Sequence, residues 1–171
     1  MISPCPTAPD SCSLLDSVRT ALESGFGRTD DQSELIAFEF TRYYEPEMGP
    51  GLQRIWFSFG NLRPLDSLAD DKISTNQLEA RWRMPDGRRR VNLDPGHLSP
   101  HNLVLATTKN YAHRVFLGRD IFAELTLLYE HGGFSALKWT YPDYKSRAAM
   151  DFLARVRERY LVKLRSLTPD P

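Results

Sequence analysis

Two short runs of alternating apolar residues flank a loop that cannot be helical or extended for long. In residues 34–41, Ile36, Phe38 and Phe40 share one side; in residues 54–59, Ile55, Phe57 and Phe59 do the same. A side chain that switches faces at every residue describes a half-buried strand. Between the runs, Pro46, Gly49, Pro50 and Gly51 interrupt regular structure. Two strands in succession with no helix between them point to antiparallel pairing, and the rest of the chain repeats that habit.

Ahead of the first strand, Ser13 precedes Leu14, Leu15, Val18, Ala21 and Leu22, a helical stripe with Gly25 as its expected stop. Pro64 opens a second helix that is expected to reach about Trp82. A turn at Pro85-Asp86-Gly87 leads to a short strand over 89–93, ended by Asp94-Pro95-Gly96. Ser99-Pro100 resembles a cap and first helical residue, so a short helix through Leu105 is expected, with a strand as the alternative. Residues 114–117 and 121–129 read as a hairpin around Gly118-Arg119-Asp120, and a strand follows over 134–139. Ala149, Phe152, Leu153, Val156, Tyr160 and Leu164 mark one face of a last helix. Paired strands with helices before and after them predict an α+β fold, a largely antiparallel sheet with helices packed on it. The expected organisation is a mobile Pro-rich arm over 1–12 and a single domain over 13–167.

A chain of 171 residues can bury about 70% of the surface it exposes when unfolded. Its 22 basic and 22 acidic side chains cancel, so no global field draws it to nucleic acid or an anionic membrane. No apolar run approaches the ~20 residues of a membrane span, and residues 1–13 lack the pattern of a secretory leader. A cytoplasmic location is expected. Cys5 and Cys12 have no companion ligands at metal-site spacing and read as reduced thiols.

Several polar residues exceed what such a core needs. The 43–51 loop holds Tyr43, Tyr44, Glu45 and Glu47; as a plain structural element, its tyrosines would cover a sheet edge. On the central helix, Lys72 and Asn76 continue the inward stripe of Leu65, Leu68 and Ala69, aimed into a cleft or snorkelling to its rim. In the 88–94 strand, Arg88, Arg90, Asn92 and Asp94 share a face, and buried charges there need partners. Five arginines between Arg81 and Arg90 suit a phosphate or carboxylate, or else line a solvated loop. Thr107, Lys109 and His113 follow, and Arg114 or a neighbour faces Glu124 across the hairpin. Tyr141 lies in an aromatic run before the last helix. There is no phosphate-binding loop, dinucleotide fingerprint, zinc-protease motif or nucleophile elbow.

Residues 43–50 (YYEPEMGP), 72–76 (KISTN), 89–96 (RRVNLDPG), 103–109 (LVLATTK) and 139–144 (WTYPDY) closely resemble an uncharacterised prokaryotic family, domain of unknown function 4416. The likeness runs from about Glu34 to Leu164. It implies that these polar motifs are the family's hallmark. Some members bear the label "GTP-binding protein", which would imply a nucleotide ligand, yet the motifs that such a label rests on are missing here. A short apolar strand is expected before the first helix of the family, where this chain has its Pro-rich segment.

The first hypothesis is therefore a polar cleft that binds or transforms a small anionic ligand, phosphorylated or a nucleotide. Arg90, Lys72, Lys109 and Arg114 would hold the anion, with Tyr43, Tyr44, Asn76, Asn92, Thr107 and Tyr141 placing it. Glu45, Glu47, Asp94, Glu124 and His113 would supply acid–base groups, and the carboxylates could hold Mg2+. The alternatives are a nucleic-acid module built on the arginine-rich segment, or a partner-binding protein without catalysis. Substrate, reaction, oligomeric state and even whether it is an enzyme are not written in the sequence.

Overall fold

A computed structural model describes residues 10–167. The class is α+β, with four helices and antiparallel strands. The chain forms two compact units, Met1–Asp94 and Pro95–Pro171.

In the first unit, helix α1 spans Asp10–Phe26. It starts before Ser13, so the end of the expected Pro-rich arm is helical; residues 1–9, with Cys5 and the place of the family's apolar strand, lie outside the described residues, as does the Cys12 side chain. The stop is Gly27, not Gly25. Gly27 has φ +89° and its N–H donates to the Glu23 carbonyl at 3.0 Å, the left-handed helix end that an L side chain resists. Leu14, Val18 and Leu22 of α1 pack with Val91, and Ile55, Phe57 and Phe59 close around them.

The two expected strands are shorter and more broken than their alternation suggests. Strand β1 (Thr29–Gln32), absent from the sequence reading, pairs with β4 (Phe57–Phe59), while β2 (Ile36–Ala37) pairs with β3 (Gln53–Arg54). Both pairs are antiparallel. The connecting loop is not wholly irregular: Glu45–Met48 forms one helical turn, α2. Pro46 is tolerated because the first turn has no helical acceptor for its missing N–H. That turn drives Met48 into a small core with Phe38 and Leu52.

Helix α3 (Leu68–Glu79) lies between two 3-10 turns, Leu65–Ser67 and Ala80–Trp82, close to the expected limits. Its buried residues include Leu68, Lys72, Thr75 and Glu79, at helical spacings on one face. That face is half polar. The expected strand over 89–93 is reduced to a single bridge at Val91.

The second unit is a five-stranded antiparallel sheet. Strands β5 (Gly96–Leu98), β6 (Asn102–Thr107), β7 (Arg114–Gly118), β8 (Ile121–Glu130) and β9 (Gly133–Ala136) pair in the order β5-β6-β8, with β7 and β9 both on the far side of β8. The short helix expected through Leu105 is the strand β6. Ser99 does cap, but it caps a turn: its Oγ accepts from the N–H groups of His101 and Asn102, each at 3.1 Å. The β7–β8 hairpin turns on Arg119 and Asp120, both at positive φ. A 3-10 turn (Pro142–Lys145) then leads into α4 (Arg147–Leu167), which buries Ala149, Phe152 and Leu153.

Candidate functional site

In the first unit the chain's charges gather around residues 89–94. This segment has no strand neighbour on α3's side, and the helix supplies side chains instead. Lys72 Nζ donates to the Leu93 carbonyl at 2.7 Å, and Glu79 Oε1 accepts from the Leu93 N–H at 2.7 Å. Two turns of one helix thus satisfy both polar groups of one peptide residue, as a buried backbone requires. Lys72 goes on to pair with Asp94 at 3.2 Å, and Arg54 approaches the same carboxylate at 3.9 Å. Asn92 Nδ2 donates to Asp94 at 2.7 Å, while its Oδ1 accepts from Arg89 Nη1 at 2.8 Å. Arg89 then grips Glu47 with two parallel hydrogen bonds, 2.6 and 2.7 Å, and touches Glu79 at 3.4 Å. This fork is the geometry that guanidinium offers and ammonium does not.

The result is one continuous chain, Lys72–Asp94–Asn92–Arg89–Glu47, with Arg54 and Glu79 at its sides. Lys72, Arg54, Glu79 and Asn92 are buried; the Asp94 side chain keeps 29% of its surface exposed and lies at the rim. Burial works to raise the Asp94 pKa, but the Lys72 ammonium and then the Arg54 guanidinium outweigh it and hold the carboxyl far below the ordinary range. Asp94 is therefore an acceptor at neutral pH and no store of protons. Glu47's hydrogen bonds likewise hold Arg89 charged, above its ordinary value, against the cost of burial. Arg90 departs from this pattern. Its Nη2 is buried and has no hydrogen-bond partner.

The second unit holds a separate cluster around Glu124, which is 2% exposed in the middle of β8. The register places Arg114 opposite it. Arg114 Nε donates to Glu124 Oε2 at 2.7 Å and Nη2 approaches the same oxygen at 2.6 Å; other guanidinium hydrogens reach the Lys109 carbonyl (2.8 Å) and the Tyr141 hydroxyl (3.0 Å). His113 Nε2 also lies 3.1 Å from Oε2. The other oxygen, Oε1, is buried with no hydrogen-bond partner. The His113 ring lies nearly parallel to both Tyr111 and Trp139, at 6.1 and 4.9 Å between centroids.

Among the expected site residues, Glu47, Lys72, Asn92 and Asp94 converge in the first cluster, and His113, Arg114, Glu124 and Tyr141 in the second, where the Lys109 carbonyl accepts from Arg114. Tyr43 and Tyr44 pack on each other, and Tyr44 on Phe38; Tyr44 covers the small core while Tyr43 is exposed. Glu45 is exposed on α2, Asn76 is half-buried outside the network, and Thr107 Oγ1 accepts from the Lys109 N–H. Arg54 and Glu79 escaped the sequence reading, and Arg89 entered it only as one of the five clustered arginines. Glu79 could have been found, since it stands seven residues from Lys72 on the same helical face. The choice of Arg89 over Arg90 could not, because the segment is not a regular strand. The other arginines of that stretch serve their own turn: Arg83 donates to the Gly87 carbonyl and Arg88 pairs with Asp86.

Residues 7–160 match a family model described as "Domain of unknown function (DUF4416)". The chain belongs to the DUF4416 family. No curated protein and no solved structure matches it. Both clusters of this DUF4416 chain lie inside the matched span. Among its described residues no three His, Cys, Asp or Glu side chains gather to hold a metal ion, and no helix is long and apolar enough to cross a membrane.

Proposed function

We propose that the chain binds a small anionic ligand, with Arg90 as the donor that ligand engages and the 89–94 network as its fixed scaffold. The observation that carries this is the buried Arg90 Nη2 without an acceptor. A guanidinium presents five N–H donors, and leaving one dry costs more than leaving a neutral group dry. The cations Arg54, Lys72 and Arg89 are already matched by Asp94, Glu47 and Glu79, so Arg90 is an addition to a balanced set. A phosphate or carboxylate oxygen is the acceptor that suits it best. Asp94, fixed as an anion at the rim, would accept from a ligand hydroxyl or face a Mg2+ ion carried in with a phosphate. This is a binding role; the residues present do not single out a reaction.

The test is a thermal-shift panel of inorganic phosphate, nucleotides, sugar phosphates, small carboxylates and short RNAs, each with and without Mg2+. One anion class is expected to raise Tm, and Arg90→Ala to weaken its binding by about ten- to a hundredfold, the worth of a charge-assisted hydrogen bond. An anion shift that survives Arg90→Ala, or no shift from any anion, defeats the proposal. A salt-sensitive response to RNA alone favours the nucleic-acid alternative.

A further inference from the structure

The Glu124 cluster offers a second kind of chemistry. A carboxylate can accept at both oxygens, yet here Arg114 and His113 both crowd onto Oε2 while Oε1 stays buried and unpaired. The group that shares Oε2 with Arg114 is a flat N–H heterocycle, the His113 imidazole, nearly parallel to the Tyr111 and Trp139 rings. Against the carboxylate, His113 Nε2 acts as the donor, and its side chain is 23% exposed. The walls around it are aromatic, exposed and fixed. Trp139 Nε1 donates to the Leu125 carbonyl at 2.7 Å, the Tyr141 hydroxyl accepts from Arg114, and the Arg114 guanidinium lies 4.7 Å from the Tyr111 ring centroid.

From this we infer that Glu124, Tyr111, Trp139 and Tyr141 form a binding site for a flat heteroaromatic molecule that carries an amino group next to a ring N–H. The His113 imidazole occupies the slot and displays what it accepts: a planar ring nearly parallel to aromatic walls with an N–H pointing at the carboxylate. Such a ligand takes the place of the imidazole, which is half-buried and held at its edge by one hydrogen bond. It then satisfies Oε1 as well, which His113 does not. Charge favours a neutral ligand, because Arg114 already balances Glu124. The site is independent of the anion proposal; it uses other residues in the other compact unit.

The experiment titrates the full chain, at a pH above the pKa of all three probes so that each is neutral, with 2-aminobenzimidazole (two adjacent N–H donors), benzimidazole (one) and 1-methylbenzimidazole (none), reading Trp emission and heat of binding. Binding is expected to weaken in that order, by about tenfold or more from the first to the last, the scale of one hydrogen bond to a charged group. Trp139→Phe removes the emission change while the heat remains. His113→Ala, which opens the slot and leaves Arg114 on Glu124 Oε2, tightens binding and recovers lost Tm when the aminoheterocycle is added. Equal binding of the amino and methyl compounds overturns the inference, because Oε1 would then play no part. So does binding to His113→Ala alone, which would make the imidazole a permanent filling of the slot. No binding to either protein overturns it as well.

Discussion

Leu93 is an ordinary apolar residue whose backbone is held by two charged side chains, and this explains why Lys72 sits inside the protein at all. A buried ammonium is tolerated when its hydrogens are used, and the Leu93 carbonyl and Asp94 use them here. Replacing Lys72 with Met keeps the volume and strands both partners; a loss of about 3 kcal/mol is expected, at the low end for a broken buried pair because Asp94 retains Arg54. Urea denaturation measures it. The same carboxylate sets an acid limb. Its folded pKa lies below the unfolded value of about 3.9, so its contribution is complete above about pH 5 and disappears as pH falls through the folded value. Asp94→Asn is expected to be less stable than the parent at pH 7, with the difference closing as the pH is lowered towards 2. Denaturant midpoints at pH 7, 4 and 2 check this; a gap that stays constant with pH defeats it. At this scale the sequence named many of the right residues. The inward stripe on α3 pointed to Lys72, and the polar face of 88–94 pointed to Asn92 and Asp94. It could not show that their first duty is to one another, because the Lys72–Asp94 pairing across 22 residues of chain depends on tertiary contact.

Elements were legible where period and turn chemistry agreed. The β7–β8 hairpin, α3 and α4 follow their patterns within a few residues. Misreadings arose where a real local signal was used for a different end. Ser99-Pro100 is a cap, but the backbone it caps turns back into β6 rather than onward into a helix. Pro46 is a helix breaker only beyond the first turn, and α2 is nothing but a first turn. Gly25 and Gly27 both suit a helix end; only the second has positive φ, and a Cβ there would fall 2.1 Å from Asn61 Nδ2. The pair makes a direct test. Gly27→Ala is expected to destabilise by more than about 1 kcal/mol, from backbone strain and the clash together. Gly25→Ala, inside α1 with nothing within 4 Å of the added carbon, is expected to gain a few tenths to about 1 kcal/mol. Thermal denaturation separates them by sign. Equal effects would mean that α1 ends where the sequence first suggested.

For the whole molecule, zero net charge conceals strong local order: many charges are spent in pairs, and two of the buried polar atoms without a hydrogen-bond partner, Arg90 Nη2 and Glu124 Oε1, lie in different compact units. That separation makes a prediction about where ligand binding is felt. A ligand at about 100 times its Kd stabilises the state that binds it by roughly 2.7 kcal/mol, and hydrogen exchange slows only in segments whose opening releases that ligand. With the anion that gives the largest thermal shift, slowing is expected in α3, in β3 and at Val91–Leu93, whose amides are fixed by the network around Arg89 and Asp94. The β6–β8 ladder is expected to exchange at its unliganded rate, because it can stay closed while the first unit opens. Exchange that slows equally in both units would mean that they open together, and the 1–94 and 95–171 units would then be one cooperative body. Slowing confined to β6–β8 would move the anion to the Arg114 side and remove Arg90 from its binding.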